Sequence, residues 1–379
     1  MKKTSKDILT IFIFFLLSIA LRYYSTSFRL GCGEHVWIYP NRDTKIHVLF
    51  NIDIYQKYSI EEHKFLCYHG GGGPFIQIKI RDTVYDLYTS FNPPLFLIPY
   101  FLGVRDENDL KCFNLSLHFL SAVLIYFLIS TLLGKKSISP ILCTVLYIFN
   151  FNMLHYCYEA YWGHQLAQPF FLALLYLVAR KGDEAKIFPC CILSFFACWI
   201  AWTGYLFTFG IFIFFIRFKK IKKAFAVAVS AIIAILLPIL HFGLVITLPE
   251  YIQSLLNRAN VRGGSGFFFF LLNDIFIEYS LLIFTLLATS FFLKNRKSIL
   301  VSFRQKIAIF LIASVPLLEL FFLANHDWYY GFGRIKIIIP FLLLASLFLD
   351  ALYEEKPKTT VTITGIVIVA NCLYYCIIF

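Results

Sequence analysis

The chain has 379 residues, of which 59% are hydrophobic and 15% charged, with a mean hydropathy of +0.74 and a formal net charge of +12. A soluble domain carries about 25% charged residues, so the composition excludes an ordinary soluble protein. The surplus of Lys and Arg falls in short clusters between apolar runs, which reads as membrane topology and argues against a nucleic-acid partner.

Apolar runs of roughly 20 residues recur along the chain, each long enough to span a bilayer. The weak alternation of an outer-membrane barrel is absent, so the spans are expected to be helices, and the fold an all-α polytopic membrane protein. The expected spans, about eleven, are 7–23, 112–133, 137–156, 163–180, 187–202, 204–217, 224–247, 273–293, 307–323, 335–349 and 359–379. "MKKTSK" and the first apolar run have the start of a signal peptide. The run ends in "LRYYSTSFRL" without a small-residue cleavage site, so it reads as an uncleaved span. Next comes "GCGEHVW", which places a lone carboxylate, Glu34, with His35 beside it, where the first span leaves the membrane.

Residues 24–111 form one long polar segment, and long ordered loops are usually functional. Within it, "TKIHVLFNIDIYQKYSIEE" reads as an amphipathic helix at the membrane interface. "HGGGGPF" lacks the Lys and helix start of a phosphate loop and reads as a linker. Cys32 and Cys67 share this segment, and a disulfide between them is open if it faces an oxidising compartment. "YTSFNPPLFLIPYFLG", with Tyr88 and Asn92, predicts a turn entering a short helix that starts on Pro93 and Pro94. "HYCYEAYWGHQ" then carries Glu159, His164 and Gln165. Around "WIAWTGYLF", two short helices with a tight turn and one kinked helix both remain open. The polar segment from Pro249 to Phe270 carries Arg258 and Arg262. Glu319 lies inside the ninth span, and an intramembrane carboxylate is a functional candidate by default. "NHDWYYGFGR" supplies His326, Asp327 and Arg334, with Lys336 just after it.

With the N-terminus in the cytoplasm, the inside segments hold more than half of the 34 Lys and Arg. The positive-inside rule therefore puts Glu34, Glu159, Arg258, His326 and Arg334 together on the outer side. Each of these also reads as an ordinary solvated loop residue, while their convergence on one face reads as a polar cavity. No His pair has the His-x-x-x-His spacing of a helical zinc site, so no metal is assigned, and a divalent cation held by separate loops stays open.

The Pro93-Pro94-Leu95 segment, the acid after the first span, the second acidic loop and the late basic residues together resemble the GT-C glycosyltransferases that use polyprenyl-phosphate sugars. These include the protein O-mannosyltransferases and the lipid A aminoarabinose transferases. Such relatives often carry Asp-Glu where this chain has Gly33-Glu34, and His where it has Asn92. The resemblance implies a transferase in the plasma (inner) membrane with its active site on the extracytoplasmic side. It would move a sugar, with inversion, from a polyprenyl-phosphate donor to a glycan, lipid or protein acceptor. In that frame Glu34 is the catalytic base and Glu159 its helper. Arg258, Arg262 and Arg334 hold the departing phosphate. His35, His164, Gln165, His326, Asp327, Tyr88 and Asn92 bind substrate. The rival is a transporter or flippase of a lipid-linked sugar, which needs polar residues inside the spans. Apart from Glu319, His118 and His241 the spans read as nearly uncharged. A structural subunit without catalysis is the third reading.

Overall fold

The computed structural model describes residues 2–29, 39–69, 76–90, 92–134, 137–262, 268–294 and 297–378. Glu34 and His35, the Gly70–Gly73 run and Cys32 lie outside them. Helix α1 (Lys2–Arg29) leads to a compact cap made of α2 (Tyr39–Lys57), α3 (Ile60–His63), β1 (Tyr68–His69), β2 (Ile76–Ile80), β3 (Thr83–Leu87) and α4 (Pro94–Phe101). The bundle follows with α5 (Glu107–Leu133), α6 (Ser139–Ile148), α7 (Phe151–Glu159), α8 (Gly163–Lys181), α9 (Ile187–Ile200), α10 (Thr203–Arg217) and α11 (Ile221–Phe242). It continues with α12 (Leu248–Arg262), α13 (Phe268–Phe292), α14 (Lys297–Ser314), α15 (Glu319–Phe322), α16 (Ala324–Tyr329), α17 (Ile338–Glu355) and α18 (Pro357–Ile378). A 3-10 turn, Gly331–Ile337, feeds directly into α17.

The chain is an all-α membrane protein. Among the described residues, six helices are long and apolar enough to cross a bilayer: Thr4–Ser25, Glu107–Leu133, Ile221–Phe242, Phe268–Phe292, Gly331–Glu355 and Pro357–Ile377. The α6–α7 pair, bent by 53°, makes a seventh if counted as one broken span. The other expected spans contain helices too, but α9 and α10 are shorter, at 14 and 15 residues. Large apolar side chains such as Phe12, Phe225, Leu287 and Leu373 stand exposed on the long helices. Water would penalise such faces, and lipid does not.

Two breaks have local causes. Between α9 and α10 the chain turns at Ala201–Trp202, with the Gly204 N–H donating to the Ala201 carbonyl at 2.8 Å. A Cβ on Gly204 would overlap the Ala197 carbonyl, so glycine is required and the segment is two helices. Between α6 and α7, Asn150 caps the new helix, its side chain accepting from the Asn152 N–H at 3.1 Å.

The cap departs from an all-helical expectation for residues 24–111. The segment expected to form an interfacial helix is indeed helical, as α2, but an antiparallel sheet of order β1-β3-β2 follows it. β2 reads Ile-Gln-Ile-Lys-Ile, a period-two pattern that favours a strand, and Arg81 turns it back with φ +51°. Asn51 of α2 fastens the sheet, exchanging hydrogen bonds with the Tyr68 backbone at 2.7 and 2.9 Å. Lys45 ties α2 to the bundle through Glu107 at 2.7 Å and Glu159 at 2.9 Å.

Candidate functional site

Beside the cap, polar side chains from α7, α8, α10, α13, α15, α16 and the 3-10 turn before α17 meet in the protein interior. Arg334 is fully buried and its guanidinium faces Glu278, with Nε donating to Oε2 at 2.8 Å and Nη2 bonded to Oε1. Nη1 donates to the Asp327 carbonyl at 2.6 Å and lies 3.7 Å from Asp274. Asn152 also donates to Glu278, at 3.0 Å. Lys336, 4% exposed, bridges Glu319 at 2.9 Å and Asp327 at 3.1 Å. Thr203 donates to Glu319, and His164 Nδ1 lies 3.5 Å from the Thr203 hydroxyl. His326 Nδ1 stands 3.5 Å from Asp327.

The charge count in this network is unequal. Four carboxylates, Asp274, Glu278, Glu319 and Asp327, face two permanent cations, Arg334 and Lys336. Burial alone would raise the Asp327 carboxyl, but Lys336 and His326 outweigh it and hold the group well below the usual carboxylate range. The network carries little room for a further anion. It depends on two glycines of "GFGR": a Cβ on Gly333 would overlap the Asp327 carboxylate, and one on Gly331 the Tyr156 hydroxyl.

From this network a row of rings runs toward α12. His326 lies 4.9 Å from Tyr330, Tyr330 5.4 Å from Phe332, and Phe332 6.2 Å from Trp162. His47 is 6.5 Å from Trp162, 4.2 Å from His69 and stacked on Tyr88 at 6.1 Å. Arg258 closes the row, with its guanidinium 5.2 Å above the Tyr88 ring and a hydrogen bond of 3.2 Å to the Tyr88 hydroxyl. The Thr89–Ser254 hydrogen bond, 2.6 Å, holds α12 against this segment.

The sequence candidates thus sort by position. His164, His326, Asp327 and Arg334 meet in the buried network, and Tyr88 and Arg258 form the far end of the ring row. Arg334 was expected to hold the departing phosphate. It lies instead in the interior with its charge matched by Glu278, because a buried guanidinium needs a carboxylate partner. Gln165 caps α8, its side-chain oxygen accepting from the Trp162 N–H at 3.1 Å. Asn92 precedes α4, which begins on the prolines, and donates to the Cys198 carbonyl at 3.5 Å. Glu159 ends α7 beside Lys45 and lies 4.0 Å from Lys111. Arg262 is the last residue of α12, and its side chain, like Glu34 and His35, lies outside the described residues. No group of three or more His, Cys, Asp or Glu among the described residues is arranged to hold a metal.

Sequence reasoning passed over Asp274 and Glu278, although both stand in the apolar "LLNDIFIEYS", so the spans are less uncharged than expected. It also passed over Arg22. This buried side chain of α1 donates to the Leu154 and Met153 carbonyls, each at 2.9 Å, and meets His118 Nδ1 at 2.9 Å. Arginine has only donors, so His118 accepts here and carries its proton on Nε2. No family model and no curated protein matches the chain.

Proposed function

We propose that the chain is a membrane glycosyltransferase that moves a sugar from a polyprenyl-phosphate donor to an acceptor hydroxyl on the extracytoplasmic face, with about eleven membrane crossings. The observation that supports this most is the alignment of Arg258, Tyr88, His69, His47 and Trp162 in one row beside the buried ion network. The half-buried imidazoles of His47 and His69 suit a sugar ring. A half-buried arginine already oriented by Tyr88 suits a phosphate. The excess of carboxylates in the network disfavours a phosphate there, so the phosphate contact goes to Arg258, with Arg262 closing the same helix. The acceptor oxygen forms its bond to the sugar carbon as the bond to phosphate breaks, and the acceptor proton passes to a carboxylate. Glu34 takes that proton, with Glu159 as its helper.

Losing a charge-assisted contact weakens binding by roughly 1.5–3 kcal/mol, so Arg258→Ala should lower donor affinity by that amount. Unchanged donor affinity would remove Arg258 from the site. Glu34→Gln should retain the donor and reduce turnover by about 10²–10⁴. Near-normal turnover would exclude Glu34 as the base.

One observation favours the rival reading. Asp274, Glu278, Arg334, Lys336 and Glu319 place charge inside apolar helices, which is where a transporter of a lipid-linked sugar would need it. Movement of labelled lipid-linked sugar across proteoliposomes without release of the lipid phosphate would establish that reading.

A further inference from the structure

Helices α13 and α18 both have the length and apolarity to cross a bilayer, and they part to leave a groove of about 370 Å³. Its walls include Phe151, Ile277, Leu281, Leu373 and Ile377. Phe276, Ile277, Val369, Leu373 and Ile377 are exposed around it. An opening framed by such side chains on two spanning helices faces hydrocarbon, so its occupant is drawn from the bilayer. Its volume falls in the roughly 300–1,000 Å³ range of small-molecule sites.

The groove is not wholly apolar. Glu278, 8% exposed, lines it, together with Asn371 and Ser280. The Ser280 hydroxyl proton is spent on the Ile277 carbonyl at 2.9 Å, and Asn371 donates to the Val367 carbonyl at 3.0 Å while its oxygen accepts from the Phe151 N–H at 3.1 Å. Tyr374, whose hydroxyl can donate or accept, also lines the groove. Glu278, paired with Arg334, is an acceptor only. The Glu278 carboxylate is the one charged group among the residues lining the groove, and it opposes a phosphate or a fatty acid. The groove's complement is an apolar chain ending in a hydroxyl, which can donate to the carboxylate and accept from Tyr374.

From this complementarity we infer that the α13–α18 groove binds a lipid alcohol, with the chain along the apolar walls and the hydroxyl donating to Glu278. The binding does not require the transfer reaction. If that reaction holds, the site would admit a lipid acceptor rather than the phosphate-bearing donor.

The test uses full-length protein in liposomes with three photoactivatable probes of equal chain length: a primary alcohol, its methyl ether and its phosphate. The alcohol should label peptides of α13 and α18 about tenfold more than either other probe, the factor expected from one hydrogen bond to a charged group. Ala370→Trp fills the groove without touching the ion pair and should abolish that labelling. Glu278→Gln should reduce the preference for the alcohol over the ether. Labelling by the phosphate probe equal to that by the alcohol would show a phospholipid chain in the groove and overturn the inference. So would alcohol labelling that survives Ala370→Trp, or labelling that never falls on α13 or α18. Loss of sugar transfer with intact alcohol labelling would count against the transferase alone.

Discussion

Lys336 holds an exacting position. Its ammonium is shared by Glu319 and Asp327, and both carboxylates are buried. Removing one partner of a buried pair leaves an uncompensated charge, at a cost of about 3–5 kcal/mol. Lys336→Met should therefore lower thermal stability sharply, and adding Glu319→Gln should recover part of the loss because it removes one stranded charge. A double variant no more stable than Lys336→Met would mean that the two groups are not coupled. Arg334→Ala belongs to the same class: it strands Glu278, so it should destabilise the fold even without substrate. Gly333→Ala forces a methyl toward the Asp327 carboxylate. Overpacking of this kind costs typically 1–3 kcal/mol, and a melting curve unchanged from wild type would show that the 3-10 turn can yield.

Among the elements, the cap hairpin carries a pH dependence of definite sign. Hydrogen bonds from Arg81, then from the Ser59 N–H, hold Glu62 at about 2. A lowered carboxyl pKa stabilises the folded state fully above the unfolded value near ~4.3, and that stabilisation is lost as pH falls through about 2. Amide exchange at the Arg81–Asp82 turn, corrected for its intrinsic rate, should rise across that window in the wild type. In Arg81→Ala it should start high and change little. The helices were legible in the sequence because long apolar runs declare themselves, and Pro93-Pro94 marked the start of α4. The α9–α10 break was half legible: Gly204 pointed to a turn, but the overlap with Ala197 that makes glycine necessary is a tertiary fact. The sheet was missed although Ile-Gln-Ile-Lys-Ile alternates in plain view, because that stretch lies between the expected interfacial helix and the Pro93-Pro94 turn and was given no element of its own. Asp274 and Glu278 were hidden by the apolar average around them. No local pattern tells which carboxylate will meet an arginine 56 residues away along the chain.

For the whole molecule, the proposed transfer depends on membrane orientation and on chemistry at one end of the bundle. Reporter fusions at Lys181 and Glu61 should report opposite sides of the membrane, since the proposed orientation, argued from the positive-inside rule, has the first in the cytoplasm and the cap outside. The same side for both would undo the proposed orientation. The proposed group transfer from a lipid-linked donor is tested by release of the lipid product. Purified protein incubated with a pool of polyprenyl-phosphate sugars and membrane-derived acceptors should release polyprenyl phosphate. That release should fall when Arg258 is replaced by alanine and when Glu34 is replaced by glutamine. If no polyprenyl phosphate is released while the same preparation carries lipid-linked sugar across proteoliposomes, the protein is a transporter and not a transferase.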